Sequence, residues 1–436
     1  MSVSALSFIL ATLITIGFFS FRIRTIVANI RLGRAEKLDD QKGLRFKNML
    51  LLAFGQKKMF QRPLPALLHF FVYAGFIIIN IEILEIVLDG VTGSHRLFAP
   101  LMGNSYAAFI SAFEILAVLV MLGCAVFLIR RNVLRLKRFH SSEMTSWPRS
   151  DANIILITEI LLMSSFLSMN ACDQLLQEAG KQHYIATGSF LISAYLQPIF
   201  SGISSEGLHV FERSAWWFHI LGVFAFAVYV TYSKHLHIFL AFPNSYYMRL
   251  SPWGEIDNMP EITSEVKLML DSAATPPADA PPPPAHFGAK DISDLSWKDI
   301  LDAYSCTECG RCTSACPANQ TGKKLSPRRI MMATRDRADE LGKFIRNNGQ
   351  EKEDGKSLLK DYISVEEVNA CTSCQACVFE CPVSINPLRI IIQLRRFLIM
   401  EESNSPAEWN LMFSNLENNF APWQFSPEDR LKWTEA

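Results

Sequence analysis

Five stretches of about 20 or more mostly apolar residues govern what this chain can become: 2 to 21, 64 to 88, 105 to 129, 152 to 170 and 216 to 241. Each is long enough to cross the roughly 30 Å hydrocarbon core of a bilayer as a helix. Composition agrees, since 50% of the 436 residues are hydrophobic and 19% are charged, against roughly 25% charged in ordinary soluble domains. The first stretch has no basic n-region and no small-residue cleavage site, so a retained anchor is expected rather than a signal peptide. The segment FLISAYLQPIF at 190 to 200 is too short for a sixth span and contains a proline, which predicts an interfacial or re-entrant piece.

Orientation follows from Lys and Arg near the span ends. The loop after span 1 is basic from Arg22 to Arg62, and the loop after span 3 from Arg130 to Arg149, whereas the loops after spans 2 and 4 hold only Arg96, Lys181 and Arg213. The expected arrangement is an inner-membrane, multi-pass chain in contact with lipid, N-terminus outside, with everything after residue 241 in the cytoplasm. Lys+Arg and Asp+Glu both total 42, and this balance gives no reason to expect a nucleic-acid partner. Beyond the spans, DSAATPPADAPPPPAHFGA (271 to 289) has the composition of an extended linker. The periodicity of SPRRIMMATRDRADELGKFI and NPLRIIIQLRRFLIM then predicts a mostly α soluble domain.

Eight of the ten cysteines fall into two runs of the form C-x2-C-x2-C-x3-C-P. One is Cys306, Cys309, Cys312 and Cys316; the other is Cys371, Cys374, Cys377 and Cys381. This spacing puts three thiolates around one [4Fe-4S] cluster and sends the fourth to the other cluster. Cys306, Cys309, Cys312 and Cys381 are therefore expected to share one cluster, and Cys371, Cys374, Cys377 and Cys316 the second. Zinc sites, the plain alternative, usually separate two ligand pairs instead of packing three close thiolates and a Cys-Pro. Electron transfer follows from such a pair of clusters, and no catalytic residue is assigned.

The membrane stretches carry histidines, and ionisable residues at membrane depth are functional candidates. His69 lies near the inner end of span 2 and His237 near the inner end of span 5, so two antiparallel spans bring them to similar depth. Together they form a candidate bis-histidine site for one b-type haem. His219 and His237 are 18 residues apart, five helical turns, which on a continuous helix places them on one face about 27 Å apart. For His219, near the expected outer end, the alternatives are packing, a second haem or a hydrogen bond to quinone. His235 is expected at the interface, and His95, His140, His183, His209 and His286 in loops. Glu82 and Glu85 are expected to reach the outer interface; Glu114 and Glu159 are deeper, with packing weighed against proton transfer to a quinone. Lys234 is expected to snorkel, with a contact to a haem propionate as the alternative, and Cys124 and Cys172 to act as small hydrophobes.

The segments WWFHILGVFAFAVYVTYSKHLHIF and CTECGRCTSACPANQTGKKLSP, with the five spans, resemble membrane iron-sulfur oxidoreductases related to heterodisulfide reductase. Their membrane part is similar to the cytochrome b subunit of respiratory nitrate reductase, and the long helical insert between the cysteine motifs resembles an α-helical ferredoxin. The resemblance covers about 60 to 410. It implies that His69 and His237 hold one haem and that His219 matches a ligand of a second; Ile79 stands where the nitrate reductase pattern has histidine. It also implies menaquinone as substrate and, because longer members continue into CCG domains and no CCG occurs here, a separate CCG-domain subunit, with electron-transfer flavoprotein as a further partner. The expected organisation is a transmembrane cytochrome b-like domain (1 to 250), the linker (251 to 289), a two-cluster ferredoxin domain (290 to 400) and a docking segment (401 to 436). The expected function is quinone-linked membrane electron transfer within a complex, an oxidoreductase activity. A quinol-driven disulfide reductase subunit and a redox-sensing anchor are the alternatives.

Overall fold

A computed structural model describes residues 2 to 435 apart from 253, 272 to 274, 276 to 285, 351, 425 and 430. Among the described residues the chain is mostly α, with no strand beyond two isolated bridges. Five helices are long and apolar enough to cross a membrane: α1 (Val3–Ile30), α2 (Pro63–Thr92), α3 (Tyr106–Leu128), α4 (Trp147–Glu178) and α5 (Ser205–Val230). The shortest, at 23 residues, spans about 35 Å. Their termini follow local chemistry. Ser2 and Ser204 cap α1 and α5 by accepting backbone N–H groups, Pro63 opens α2, and Gly93 closes it in a left-handed conformation. Apolar side chains such as Leu6, Leu13, Phe18 and Phe21 on α1 point outward, as a lipid-facing surface requires. Two glycines let helices approach closely: a Cβ at Gly90 would fall 2.7 Å from the Phe8 ring, and one at Gly75 would fall 2.3 Å from Val120. Residues 190 to 200 form only a 3-10 turn and the four-residue helix Gln197–Phe200.

The fifth span differs from the sequence expectation. It begins at Ser205, runs to Val230 and stops, rather than occupying 216 to 241. The break has a local cause. The Asp151 carboxylate accepts Tyr229 Oη–H at 2.5 Å and the Lys234 backbone N–H at 3.1 Å, and Ser233 Oγ accepts the N–H of His235 at 3.0 Å. These bonds satisfy a turn that the helix would otherwise have continued through. A separate helix, α6 (His237–Tyr246), follows. His219 and His237 therefore do not share one helix face, and His219 lies mid-helix rather than near an end.

The linker region contains a further helix, α7 (Pro260–Leu270). Most of the Pro/Ala-rich run lies outside the described residues; at its far end Ala289 is buried and its N–H donates to the Gln393 carbonyl at 2.9 Å. The soluble region is built on α8 (Trp297–Tyr304), α9 (Pro327–Asn348) and α10 (Pro387–Met400), followed by α11 (Ala407–Asn419). Beyond α11, Phe420, Trp423 and Trp433 are exposed.

This region is packed onto one end of the bundle. Ile26 and Ile30 of α1, Ile155 of α4, Phe226 and Val230 of α5 belong to the same apolar core as Ile300, Ile330 and Ile391. Polar contacts ring that core. Asn29 donates to Tyr304 Oη and Asp339 at 2.9 Å each, Arg62 meets Glu380 at 2.9 Å, and the buried Arg328 reaches Glu143 at 2.7 Å. The basic loops after spans 1 and 3 both lie at this end, which gathers their charge against the acids of the soluble region.

Candidate redox centres

The two cysteine runs fold into nearly the same backbone twice. In each, the second and fourth residues after the first cysteine are left-handed: Glu308 (φ 52°) and Gly310 (φ 72°) in one, Ser373 (φ 57°) and Gln375 (φ 63°) in the other. A five-residue helix follows, Arg311–Ala315 or Ala376–Glu380, and ends on a cysteine with φ/ψ of −72°/118° (Cys316) or −73°/118° (Cys381). The following proline, Pro317 or Pro382, favours that extended conformation. Gln375 adopts its turn with a side chain, whereas Gly310 must lack one: a Cβ there would meet the Arg328 guanidinium at 2.5 Å.

The repeats interlock. One small cavity is lined by Cys306, Cys309 and Cys312 together with Cys377 and Cys381, and Cys316 is not part of its wall. Electrostatic neighbourhoods put Cys381 with the first run and Cys316 with the second, while Cys377 faces both. Burial pushes the Cys306 thiol up to about 12, with Glu308, Cys309 and Cys381 adding to it. Burial likewise pushes Cys377 up to about 12, with Cys371, Cys316 and Cys374 adding to it. Backbone N–H groups point at three sulfurs: Glu308 to Cys306 and Ser373 to Cys371, both at 3.4 Å, and Ile385 to Cys381 at 3.3 Å. Such N–H donors stabilise thiolate charge and tune cluster potential. Among the described residues no three His, Cys, Asp or Glu are arranged to hold a single metal ion. A zinc ion bound by thiolates at about 2.3 Å would draw its sulfurs together, whereas a cubane takes each thiolate on a different iron. The donor set fits two [4Fe-4S] clusters.

The two regions differ in burial. Cys306 and Cys316 are buried, whereas Cys374 is exposed. Between them and the bundle lie paired charges. Burial opposes ionisation of Glu308, but Lys234 at 2.6 Å and Arg335 at 2.8 Å hold its carboxyl below the usual range. Lys234 also donates to the Pro148 carbonyl at 2.5 Å, so it is tied into the interface and does not snorkel.

His69 and His237 come together despite the broken helix. Their ring centres are 6.5 Å apart and their planes 40° apart. A separation of this size would let both imidazoles reach one metal ion held between them. Each Nδ1 is already engaged: His69 with Gln56 Oε1 and His237 with the Lys234 carbonyl, both at 3.0 Å. Both partners are acceptors, which puts the proton on Nδ1 and leaves Nε2 for a metal. These donors fit a b-type haem. His235 packs edge-on to His237 at 5.5 Å and against Phe226.

His219 is buried, with Nδ1 engaged by the Leu162 carbonyl at 3.0 Å, and its ring neighbour among the described residues is Phe166. The structure does not bring a second imidazole to it. Several expectations are corrected at the far end of the bundle. Glu82 and Glu85 are buried, not interfacial, and His95 is a buried partner of Asp173 at 3.0 Å. Sequence reasoning also missed Gln56, Glu308 and Arg311. Gln56 sits at a left-handed turn just before α2, with no motif to mark it.

Comparison with known proteins agrees with the cysteine geometry. Residues 305 to 385 match the 4Fe-4S dicluster domain. Its relatives are named as oxidoreductases and ferredoxins. The chain is 27% identical, over 99% of its own length and 61% of the relative's, to the probable iron-sulfur-binding oxidoreductase FadF of Bacillus subtilis. It is 25% identical to the EtfAB:quinone oxidoreductase of Syntrophomonas wolfei, over 91% of this chain and 55% of that one. A third of the chain is 25% identical to a third of one subunit of the dihydromethanophenazine:CoB–CoM heterodisulfide reductase of Methanosarcina mazei, at 33% and 35% coverage. The chain thus spans less than two thirds of its first two relatives. No solved structure matches it.

Proposed function

We propose that this chain is the membrane electron-transfer part of a quinone-linked oxidoreductase. When bound, two [4Fe-4S] clusters and one haem b supply one-electron steps between a cytoplasmic redox partner and a quinone. Cys306, Cys309, Cys312 and Cys381 hold the cluster nearer the bundle; Cys371, Cys374, Cys377 and Cys316 hold the one nearer the surface. His69 and His237 hold the haem, oriented by Gln56 and the Lys234 carbonyl.

The observation that carries this reading is how the first cysteine loop meets both histidine-bearing segments. Arg311, between Cys309 and Cys312, reaches the Lys58 carbonyl and Met59 Sδ at 3.4 Å each, next to the turn that holds Gln56. Glu308, between Cys306 and Cys309, bonds Lys234, whose carbonyl orients His237. Residues that hold two kinds of redox group are thereby fixed to one another with no mobile segment between them. The exposed Cys374 supports docking of the partner at the second loop, and the exposed aromatics beyond α11 offer it further surface. The basic loops support a cytoplasmic location for the iron–sulfur region and an outside N-terminus. A relative named for EtfAB and quinone supports electron-transfer flavoprotein and a quinone, which we assign as menaquinone, as the two ends; one named as part of a heterodisulfide reductase supports the disulfide-reductase alternative, for which we assign a CCG-type subunit as partner. His219 is the residue we assign to the far side, as a quinone contact or a ligand of a second haem.

The test is optical. Dithionite should bleach the broad iron–sulfur absorbance of the purified full chain and raise a haem α-band, and menadiol should raise the same band. An absent α-band overturns the haem assignment; a band that dithionite raises and menadiol does not overturns the quinone assignment.

A further inference from the structure

At the end of the bundle away from the iron–sulfur region, helices α2, α3, α4 and α5 enclose a polar cluster that the electron path does not use. Four carboxyl groups are buried there: Glu82, Glu85 and Asp173 face the Arg96 guanidinium, and Glu114 is linked to it through Asn170. Three have their donors. Asp173 receives His95 at 3.0 Å and Arg96 at 2.8 Å. Glu85 receives the Phe98 N–H at 2.7 Å and Tyr106 Oη–H at 2.8 Å. Glu114 receives Asn170, Ile192 N–H and Ser193 N–H at 2.7 to 3.1 Å. Glu82 is the exception. It is 1% exposed and neither carboxyl oxygen has a hydrogen-bond partner, the nearest charge being Arg96 Nη1 at 3.5 Å.

With Asp89 and Glu212 at the adjoining cavity, six carboxyl groups face two guanidinium groups, Arg96 and Arg213, beside the imidazoles of His95 and His183, and like charges at close range in a low-dielectric interior do not sustain full ionisation. The cluster must therefore hold protons, and the carboxyl without donors to stabilise an anion is the natural seat for one. Two further features give such a proton somewhere to go. A cavity of 320 Å3 is lined by Glu85, Asp89, His95, Arg96 and Asp173, with the exposed Ser2 and Ser4 at its rim. In the other direction Glu82 lies about one turn along α2 from Ile79, which belongs to the same apolar core as Ile220, the chain neighbour of His219.

We propose that Glu82 is a proton carrier between this cavity and the interior of the bundle. The inference rests on the quinone reading above and deepens it. A quinone that takes two electrons takes two protons to become a quinol; Glu82 gives up one proton at a time, its O–H bond breaking as the quinone oxygen gains the hydrogen, and is recharged from the cavity by way of Glu85 and Asp89. Quinol oxidation runs the same transfers in reverse, the carboxylate accepting each proton. Arg96 keeps the transiently ionised Glu82 tolerable, which makes it a positioning residue.

The experiment uses the full chain in lipid nanodiscs, compared as wild type, Glu82→Gln and Glu82→Asp. Infrared difference spectra between dithionite-reduced and oxidised protein should contain a carboxylic C=O band that disappears in Glu82→Gln and shifts in Glu82→Asp, with the visible spectrum intact in all three. With menadiol as donor, Glu82→Gln should oxidise it about 100-fold more slowly, with a flattened pH profile, and Glu82→Asp should recover part of the rate. A carboxylic band unchanged in Glu82→Gln, or a wild-type menadiol rate in that variant, overturns the proposal while leaving the electron path standing. A wild-type chain lacking the haem and iron–sulfur spectrum overturns the underlying reading itself.

Discussion

The two cysteine loops share a backbone and differ in what surrounds them. The loop from Cys306 to Cys316 is pressed against the bundle by Arg311, Glu308 and Arg328, with both end cysteines buried; the loop from Cys371 to Cys381 turns toward the surface and exposes Cys374. A repeated ligand frame thus acquires two roles from its neighbours alone. One end is insulated and fixed to the histidines, and the other is left accessible for a partner.

The largest expected effect tests whether the frames interlock. Cys306→Ser and Cys381→Ser should each remove the same cluster, halving bound iron from about eight to about four per chain and giving matching losses in the reduced EPR spectrum. Cys371→Ser and Cys316→Ser should give the other loss. If Cys381→Ser resembles Cys371→Ser, the loops bind independently and the comparison collapses.

Next comes the insulated end itself. His237→Ala should abolish the haem α-band, and His235→Ala should leave it. Gln56→Leu removes only the orienting acceptor, so the band should survive with haem affinity lowered by about 10-fold or more, as for other outer partners of metal-bound histidine. Haem titration of the apoprotein distinguishes these three outcomes.

The interface between loop and bundle is the third point of attack. Glu308→Gln removes the charge that the buried Lys234 shares with Arg335, leaving Lys234 with Asp151 at 4.0 Å, and should destabilise the chain by about 3 kcal/mol, read as a lowered Tm, while pairing it with Lys234→Met should recover part of that loss. Acid offers a variant-free version. Burial opposes ionisation of Glu143, but Arg328 holds its carboxyl down to about 2 from an ordinary 4.5. A depressed carboxyl stabilises the folded state above its unfolded value, so this contribution is complete above about 4.5 and drains away as pH falls toward 2. Thermal melts across that window should show less pH dependence in Glu143→Gln.

The smallest effect lies at the open end. The Lys324–Glu366 pair is 57% and 69% exposed, so Lys324→Ala should change stability by under about 1 kcal/mol. In the metal-free chain, N-ethylmaleimide should nevertheless reach Cys374 before Cys306 or Cys316, a difference that mass spectrometry of partly labelled protein reads directly. Equal labelling would erase the distinction between the loops.

What sequence reveals here depends on how far apart the cooperating residues lie. The cysteine frame is written in a dozen consecutive residues whose spacing alone determines the backbone, and the spans are legible because lipid demands length and apolarity. His69 and His237 are legible as a pair through depth, yet the helix expected to carry both His219 and His237 is broken by Asp151, a residue from another helix more than 75 positions away. No periodicity within the fifth span announces that contact. The buried fate of Glu82, Glu85 and His95 is hidden for the same reason, since each depends on partners from loops and helices that meet only in the fold.

The continuous apolar core joining Ile26 and Phe226 to Ile330 and Ile391 also orders the making of this molecule. The five helices are synthesised and inserted before the cysteine runs emerge, so the docking face waits for the iron–sulfur region. Once docked, Cys306 and Cys316 are closed off from any delivery protein. Docking therefore narrows access to the site that Cys306 belongs to, while Cys374 keeps the other site reachable after the core has closed.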